Sequence, residues 1–290
     1  MQGTVDGFTY GLVTPVTAFL MACLGAALGL RCTTRSLRTR GASRAGWLAL
    51  GATSIGSGIW TMHFIAMLGF SVREAPMSYD RPLTFASLAV AIVMVGVGIF
   101  LVGYRGATPM ALVTGGTITG LGVASMHYLG MAGVNFAGLF EYQTLTVALS
   151  VVIAVVASIV ALWAAVNIHG FLPSLGASVV MGVAVSGMHY TGMAALQVHL
   201  HPDAAPAGPG EAPTSLLLPM MIGPGCFLLL AAVIVMVDPL VVTGAPRGTG
   251  PLPGTAARCG GAMSSIPAQR RPARPYETAS RRAYRQPRSR

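Results

Sequence analysis

Seven apolar runs divide the chain before Asp238, at about 10–30, 46–70, 83–104, 110–135, 143–166, 173–198 and 214–237. Each is long enough to cross a hydrocarbon layer about 30 Å thick as a helix. None shows the strict alternation of a membrane β-barrel strand. The pattern predicts an all-α membrane protein of about seven transmembrane helices. The first run fills about twenty residues behind a start with no basic residue, so it reads as a retained helix and not a cleaved signal.

Composition supports this reading and charge orients it. Apolar residues make up 53% of the chain and charged residues 9%, against about 25% charged in soluble domains, and the mean hydropathy is +0.68. All eighteen basic residues are Arg. Five lie between Arg31 and Arg44 and ten follow Asp238, so the net charge of +10 is concentrated in two places. By the positive-inside rule both places face the cytoplasm and the N-terminus lies outside. Segments two, four and six then run from inside to outside. Beyond Asp238 the chain is rich in Pro, Gly, Ser and Arg without apolar periodicity, too poor in buried surface to offset chain entropy. The predicted organisation is a membrane domain at 8–240 and a disordered, Arg-rich cytoplasmic tail at 241–290, in contact with lipid and not nucleic acid. No catalytic domain fits in such a tail, so the chain reads as non-enzymatic. Cys23, Cys32, Cys226 and Cys259 form no C-x-x-C pair and read as small buried thiols.

The even segments share one string: Met62-His63-Phe64-Ile65-Ala66-Met67, Met126-His127-Tyr128-Leu129-Gly130-Met131 and Met188-His189-Tyr190-Thr191-Gly192-Met193. The three His stand 64 and 62 residues apart, about two membrane helices with their loops. The domain therefore divides into three helix hairpins plus a seventh helix, a parallel internal repeat. Gly56, Gly120 and Gly182 stand seven residues before the His, and Ser71, Asn135 and Gln197 eight after. With the Met at +4 these positions fall within about 80° of the His direction on a helix. The Gly are expected to draw the three even faces together. Each His should lie seven to nine residues from its helix's outer end, about 10–14 Å inward at 1.5 Å per residue.

Imidazole is a borderline ligand and thioether a soft one, and together they favour copper over hard ions that want oxygen. His63, His127 and His189 with Met67, Met131 and Met193 form the favoured ligand set. Met62, Met126 and Met188 point about 100° away and are the weaker set. The aromatic at +1 can bond, stack or shield. The bland reading is a structural His bonded to a neighbouring helix, with Met as apolar filler. Three copies at one depth on alternate helices favour a shared functional site, because intramembrane ionisable residues are costly and selectively placed.

Other features are weaker. His199 and His201 form an H-x-H at the outer mouth and read as a solvated loop; His169 lies in an inner loop. Pro219 and Pro224 suggest a kink, and Tyr10 and Tyr104 interfacial anchors.

The three strings resemble the signature of the MHYT domain, a bacterial integral membrane sensor module, over about residues 8–240. Met62-His63-Phe64 is similar to its Phe-containing first copy. The resemblance implies a seven-helix domain of the bacterial inner membrane that holds copper through Met, His and Tyr, making Tyr128, Tyr190 and Asn135 possible ligands or supports. It further implies sensing of a diatomic gas such as O2, CO or NO, with output in relatives through cyclic-di-GMP enzymes, kinases or DNA-binding domains. Here the output would pass to a separate signalling protein. Ala66 replaces the Gly of the other copies, a departure that would loosen the first helix. Two rivals stand beside the sensor: a copper-handling transporter, and an electron-transfer protein holding non-covalent haem through His and Met.

Overall fold

The computed structural model describes residues 5–7, 9–72, 75–200 and 213–237. The predicted tail at 241–290, His201 and Cys259 lie outside them. Among the described residues there are seven long helices: α1 (Val13–Leu37), α2 (Ala42–Leu68), α3 (Arg81–Arg105), α4 (Pro109–Ala132), α5 (Thr144–Asn167), α6 (Phe171–Ala194) and α7 (Pro213–Val237). Six are long and apolar enough to cross a membrane; α2 is the exception. It also buries more residues than α1 or any of α3 to α6. A helix lined by other helices need not match lipid in polarity, which explains why the least apolar span is the most enclosed. By contrast, Val152, Val156 and Val160 of α5 are about half exposed, as suits a face toward acyl chains.

Each predicted hairpin is present, with an addition that the apolar runs concealed. Short strands precede each odd helix and follow each even one: β1 (Val5–Asp6), β2 (Ser71–Val72), β3 (Ser78–Tyr79), β4 (Val134–Asn135), β5 (Gly138–Tyr142) and β6 (Leu196–Leu200). They pair antiparallel as β1 with β2, β3 with β4 and β5 with β6, so each α-hairpin is closed at its open end by its own two strands. At the other end the three hairpin turns place Gly41, Gly106 and Gly170 at φ of 62°, 78° and 98°, a region that side chains disfavour. Caps define the starts of α3 and α4. The Asp80 carboxylate accepts from the Leu83 N–H at 2.8 Å and the Thr108 hydroxyl from the Ala111 N–H at 3.2 Å, each with a Pro in the first turn.

Neighbouring hairpins close a ring in which α6 returns to α1, and α7 packs over α1 and α2. The helix ends depart from the expected ones. Leu68, Ala132 and Ala194 end the even helices five residues after their His, about 7.5 Å along the axis at 1.5 Å per residue and shallower than the 10–14 Å expected. Ser71, Asn135 and Gln197 therefore lie on no helix face. They sit in the closing strands, opposite Asp6, Ser78 and Glu141. In the first connection, α1 continues through Arg31 and Arg35, and Arg44 belongs to α2. These Arg bury their planes on aromatic rings: Arg31 over Phe171, Arg35 over Trp47 and Arg44 over Tyr104. Arg44 also donates to the Gly103 carbonyl. The α7 helix runs unbroken through Pro219 and Pro224. Of the thiols, Cys32 is buried, Cys23 half-buried and Cys226 exposed, so the expectation of buried thiols fails for Cys226.

The Gly seven residues before each His packs differently from expectation. A Cβ on Gly56 would come within 2.8 Å of the Ile92 Cα on α3, and one on Gly120 within 2.5 Å of the Val155 Cα on α5. One on Gly182 would meet Cys23 and Phe19 of α1. These Gly seat each even helix on the odd helix of the next hairpin, and so hold the ring together instead of drawing even faces inward. Gly120→Ala must push α4 off the α5 backbone and is expected to cost about 1–3 kcal/mol. Gly176→Ala, with nothing near its Cβ, should be neutral or slightly stabilising. Thermal unfolding of the two variants in detergent checks the contrast.

Candidate metal centre

The ring brings the three repeated His to one point. His63, His127 and His189 are 1%, 1% and 2% exposed. Their Nδ1 atoms form a triangle with edges of 3.0 Å (His63 to His189), 3.2 Å (His127 to His63) and 3.3 Å (His189 to His127). The rings meet edge to face, with centroids 4.9, 5.0 and 5.2 Å apart and planes 80°, 79° and 86° from parallel. A porphyrin has no slot among rings so closely stacked, which removes the physical basis for haem at this point.

The triangle poses a bonding problem. An imidazole nitrogen either carries a proton and donates or carries a lone pair and accepts. Three mutually adjacent nitrogens cannot alternate, so at least one edge sets like against like. A cation at the centre accepts all three lone pairs and removes the conflict. The centre lies about 1.8 Å from each nitrogen, close to the roughly 2.0–2.1 Å of metal–imidazole bonds. The residues present therefore fit a metal ion, and among the described residues these three His form the group with that capacity.

The outward ring nitrogens explain part of the motif. A Cβ on Gly130 would lie 2.8 Å from His63 Nε2, and one on Gly192 2.5 Å from His127 Nε2. The Gly three residues after one His thus makes room for the imidazole of the preceding repeat. Ala66 causes no loosening. It is buried with Ala18, Ala22 and Met62, and its extra methyl is absorbed in packing against α1.

The other sequence candidates divide. Met67 and Met131 are fully buried one turn beyond the His, toward the strands, and Met193 is half-buried there. Met62 packs on α1, whereas Met188 lines a central cavity; Met126 is fully buried. The Tyr128 ring stands edge-on to His127 at 4.8 Å, but its hydroxyl turns away to α5. Because Ser150 donates to the Val147 carbonyl, the Tyr128 hydroxyl is the donor in its 2.6 Å bond to Ser150. Tyr190 stands likewise against His189, centroids 4.9 Å apart. Asn135 is exposed in β4 and stays outside the triad. His199 sits in β6, not in a loop, and its Nε2 lies 2.9 Å from the Glu141 carboxylate. His169 is exposed, its Nδ1 2.9 Å from the Asn167 carbonyl.

Sequence reasoning missed Trp60. Its indole N–H donates to the Thr84 carbonyl at 3.1 Å and the Ser87 hydroxyl at 3.0 Å, locking α2 to α3. Ser87 and Ser150 stand one repeat apart, a spacing of 63 that could have flagged both. Above the triad, Phe64, Phe70, Tyr79, Val134 and Val198 seal the strand end as one buried cluster. At its edge, burial and then the neighbouring Tyr128 push the Tyr142 phenol up to about 12.

The fold and the site define a multi-pass helical membrane protein whose core presents three imidazoles to one point. The MHYT family pattern, described as a bacterial signalling protein N-terminal repeat, matches residues 56–115 and 120–178, and each match begins at the Gly seven residues before a motif His. The chain belongs to the MHYT family. It is 38% identical over 207 residues to the bifunctional diguanylate cyclase/cyclic di-GMP phosphodiesterase MucR of Pseudomonas aeruginosa, covering 70% of this chain and 30% of that one. It is 32% identical over 208 residues to the signaling protein YkoW of Bacillus subtilis, covering 69% and 25%. It is 36% identical over 210 residues to the cyclic di-GMP phosphodiesterase NbdA of Pseudomonas aeruginosa, covering 67% and 26%. The chain thus spans between a quarter and a third of these relatives. No solved structure matches it.

Gly192→Ala is expected to displace the His127 ring and weaken metal binding. Tyr128→Phe should cost about 0.6 kcal/mol, the loss of one intramembrane hydrogen bond, and leave metal binding unchanged. Metal titration and thermal unfolding of both variants separate the two roles.

Proposed function

We propose that this chain is the membrane sensory module of a bacterial signalling system, holding copper at His63, His127 and His189 and responding to a diatomic gas or to redox state. The observation that carries the reading is the convergence of three Nδ1 atoms within 3.3 Å of one another in a sealed apolar core. Met67, Met131 and Met193 supply thioethers one turn away. Nitrogen and soft sulfur donors together favour copper, which supplies a binding point for a diatomic ligand and a one-electron couple.

The protein's own contribution is mechanical and dielectric. The aromatic seal keeps water from the imidazoles. Each His is fixed near the end of an even helix that continues unbroken to a hairpin turn on the far side. A small change in the triangle therefore shifts α2, α4 and α6 against the odd helices that seat them, the kind of packed-helix movement that serves as a switch. On the positive-inside rule the Arg-rich first connection supports a cytoplasmic location for those turns at the inner membrane, with the N-terminus outside. A separate signalling protein receives the movement there. The names of the relatives support a signalling role, since two concern cyclic di-GMP turnover by those proteins.

Transport fits less well. On the side of the triad away from the strands the core is lined mainly by Ile, Val, Leu and Ala, with no continuing ladder of His and carboxylates.

Metal analysis of purified protein is expected to find stoichiometric copper in wild type and none in the triple His63→Ala, His127→Ala, His189→Ala variant; equal copper in both would sink the centre. Met67→Leu, Met131→Leu and Met193→Leu together should weaken copper binding more than Met62→Leu, Met126→Leu and Met188→Leu together. An absorption spectrum should show no Soret band, and reconstituted vesicles no copper flux.

A further inference from the structure

Directly beneath the triad, on the side away from the strands, lies a cavity of about 50 Å3 lined by all six ring helices. Its roof is formed by Ile59, Val123 and Val185. These stand four residues before His63, His127 and His189, one helical turn or about 5.4 Å away. The volume exceeds the roughly 10–15 Å3 that one water needs, but a buried water also needs two to four polar partners. The lining supplies Thr119 and Ser158 among aliphatic side chains. A space of this size and polarity suits a small apolar molecule better than water.

A second hollow opens toward lipid between α5 and α6, bounded by the half-exposed Val152, Val156, Val160 and Val180. The two spaces share Ala157, Met181 and Ala184. Two small side chains and one flexible thioether, which has three rotatable bonds and repacks easily, thus stand between the two spaces.

We propose that this cavity is a gas chamber filled sideways from the hydrocarbon layer through the α5–α6 cleft, with Met181 as its gate. Small apolar gases dissolve better in hydrocarbon than in water, so a lateral entrance draws on the richer supply. On the strand side Phe64, Phe70 and Tyr79 cover the triad, and the hollow at that end, lined by Tyr128, Met131, Asn135 and Tyr142, is more polar and suits water better than an apolar gas. Delivery of the gas to the triad rests on the sensing function proposed above; the chamber and its entrance do not.

Xenon tests the chamber without metal. Xenon-129 NMR of the full chain in nanodiscs is expected to show saturable binding in both metal-free and copper-loaded protein. Val185→Phe, which fills the chamber, should abolish it; Ile59→Ala, which enlarges it, should strengthen it several-fold and covers the case in which the larger side chain prevents folding. Absence of saturable binding in wild type overturns the chamber even if copper binds. Saturable xenon binding by a protein that takes up no copper when copper is supplied leaves the chamber standing and removes the sensing function. In copper-loaded protein, Met181→Phe should slow CO rebinding after flash photolysis several-fold at unchanged copper content; an unchanged rate overturns the lateral gate. Binding seen in detergent but lost in nanodiscs would mean that an acyl chain occupies the cleft, which also overturns lateral entry.

Discussion

Three imidazole nitrogens held at 3.0 to 3.3 Å in an apolar interior form the contact on which the rest of the molecule depends. No arrangement of protons satisfies all three edges, since a ring nitrogen cannot donate and accept at once. Left in lipid, such a group would be costly, and it persists because the surrounding helices enclose it completely. The enclosure explains the character of α2, less apolar along its span than the six helices suited to lipid and more buried than the other ring helices. It also explains the Gly three residues after His127 and His189, where a side chain would strike the preceding imidazole or crowd its neighbour.

Around this point the repeat works as a set of fasteners. Strand pairs close the open end of each hairpin, glycine turns close the other, and the Gly seven residues before each His lets an even helix rest on the next odd one. Cross-helix hydrogen bonds add direction. Trp60 reaches Ser87 on α3, and Tyr128 reaches the equivalent Ser150 on α5, so two different side chains meet the same position of successive repeats. The first copy can therefore carry Phe64 in place of Tyr without losing its attachment to the following hairpin.

A sealed polar point above an aliphatic chamber is an arrangement suited to detection. In the proposed function the polar groups would bind and the apolar space would admit small uncharged molecules, while the even helices connect the point to the opposite face. An ion path would need polar groups at successive depths, and the aliphatic lining beneath the triad does not provide them.

The sequence by itself determined the helical membrane class, the three hairpins and the seventh helix, and the common level of His63, His127 and His189. Apolar length and a repeat near 63 residues are properties of the chain alone. Periodicity also states which residues share a helix face, but not what that face meets. Tertiary packing alone decided that α6 returns to α1, that Gly56 and Gly120 rest on odd helices, and that the Tyr128 hydroxyl turns to Ser150 and away from the triad. It also decided that the helices end five residues after each His, where strand pairing takes over backbone hydrogen bonds, so Asn135 lies outside the centre. Residues 138–142 lie between two apolar runs and 196–200 overlap the end of another, where only the partner strand distinguishes a strand from a connection or a last helical turn.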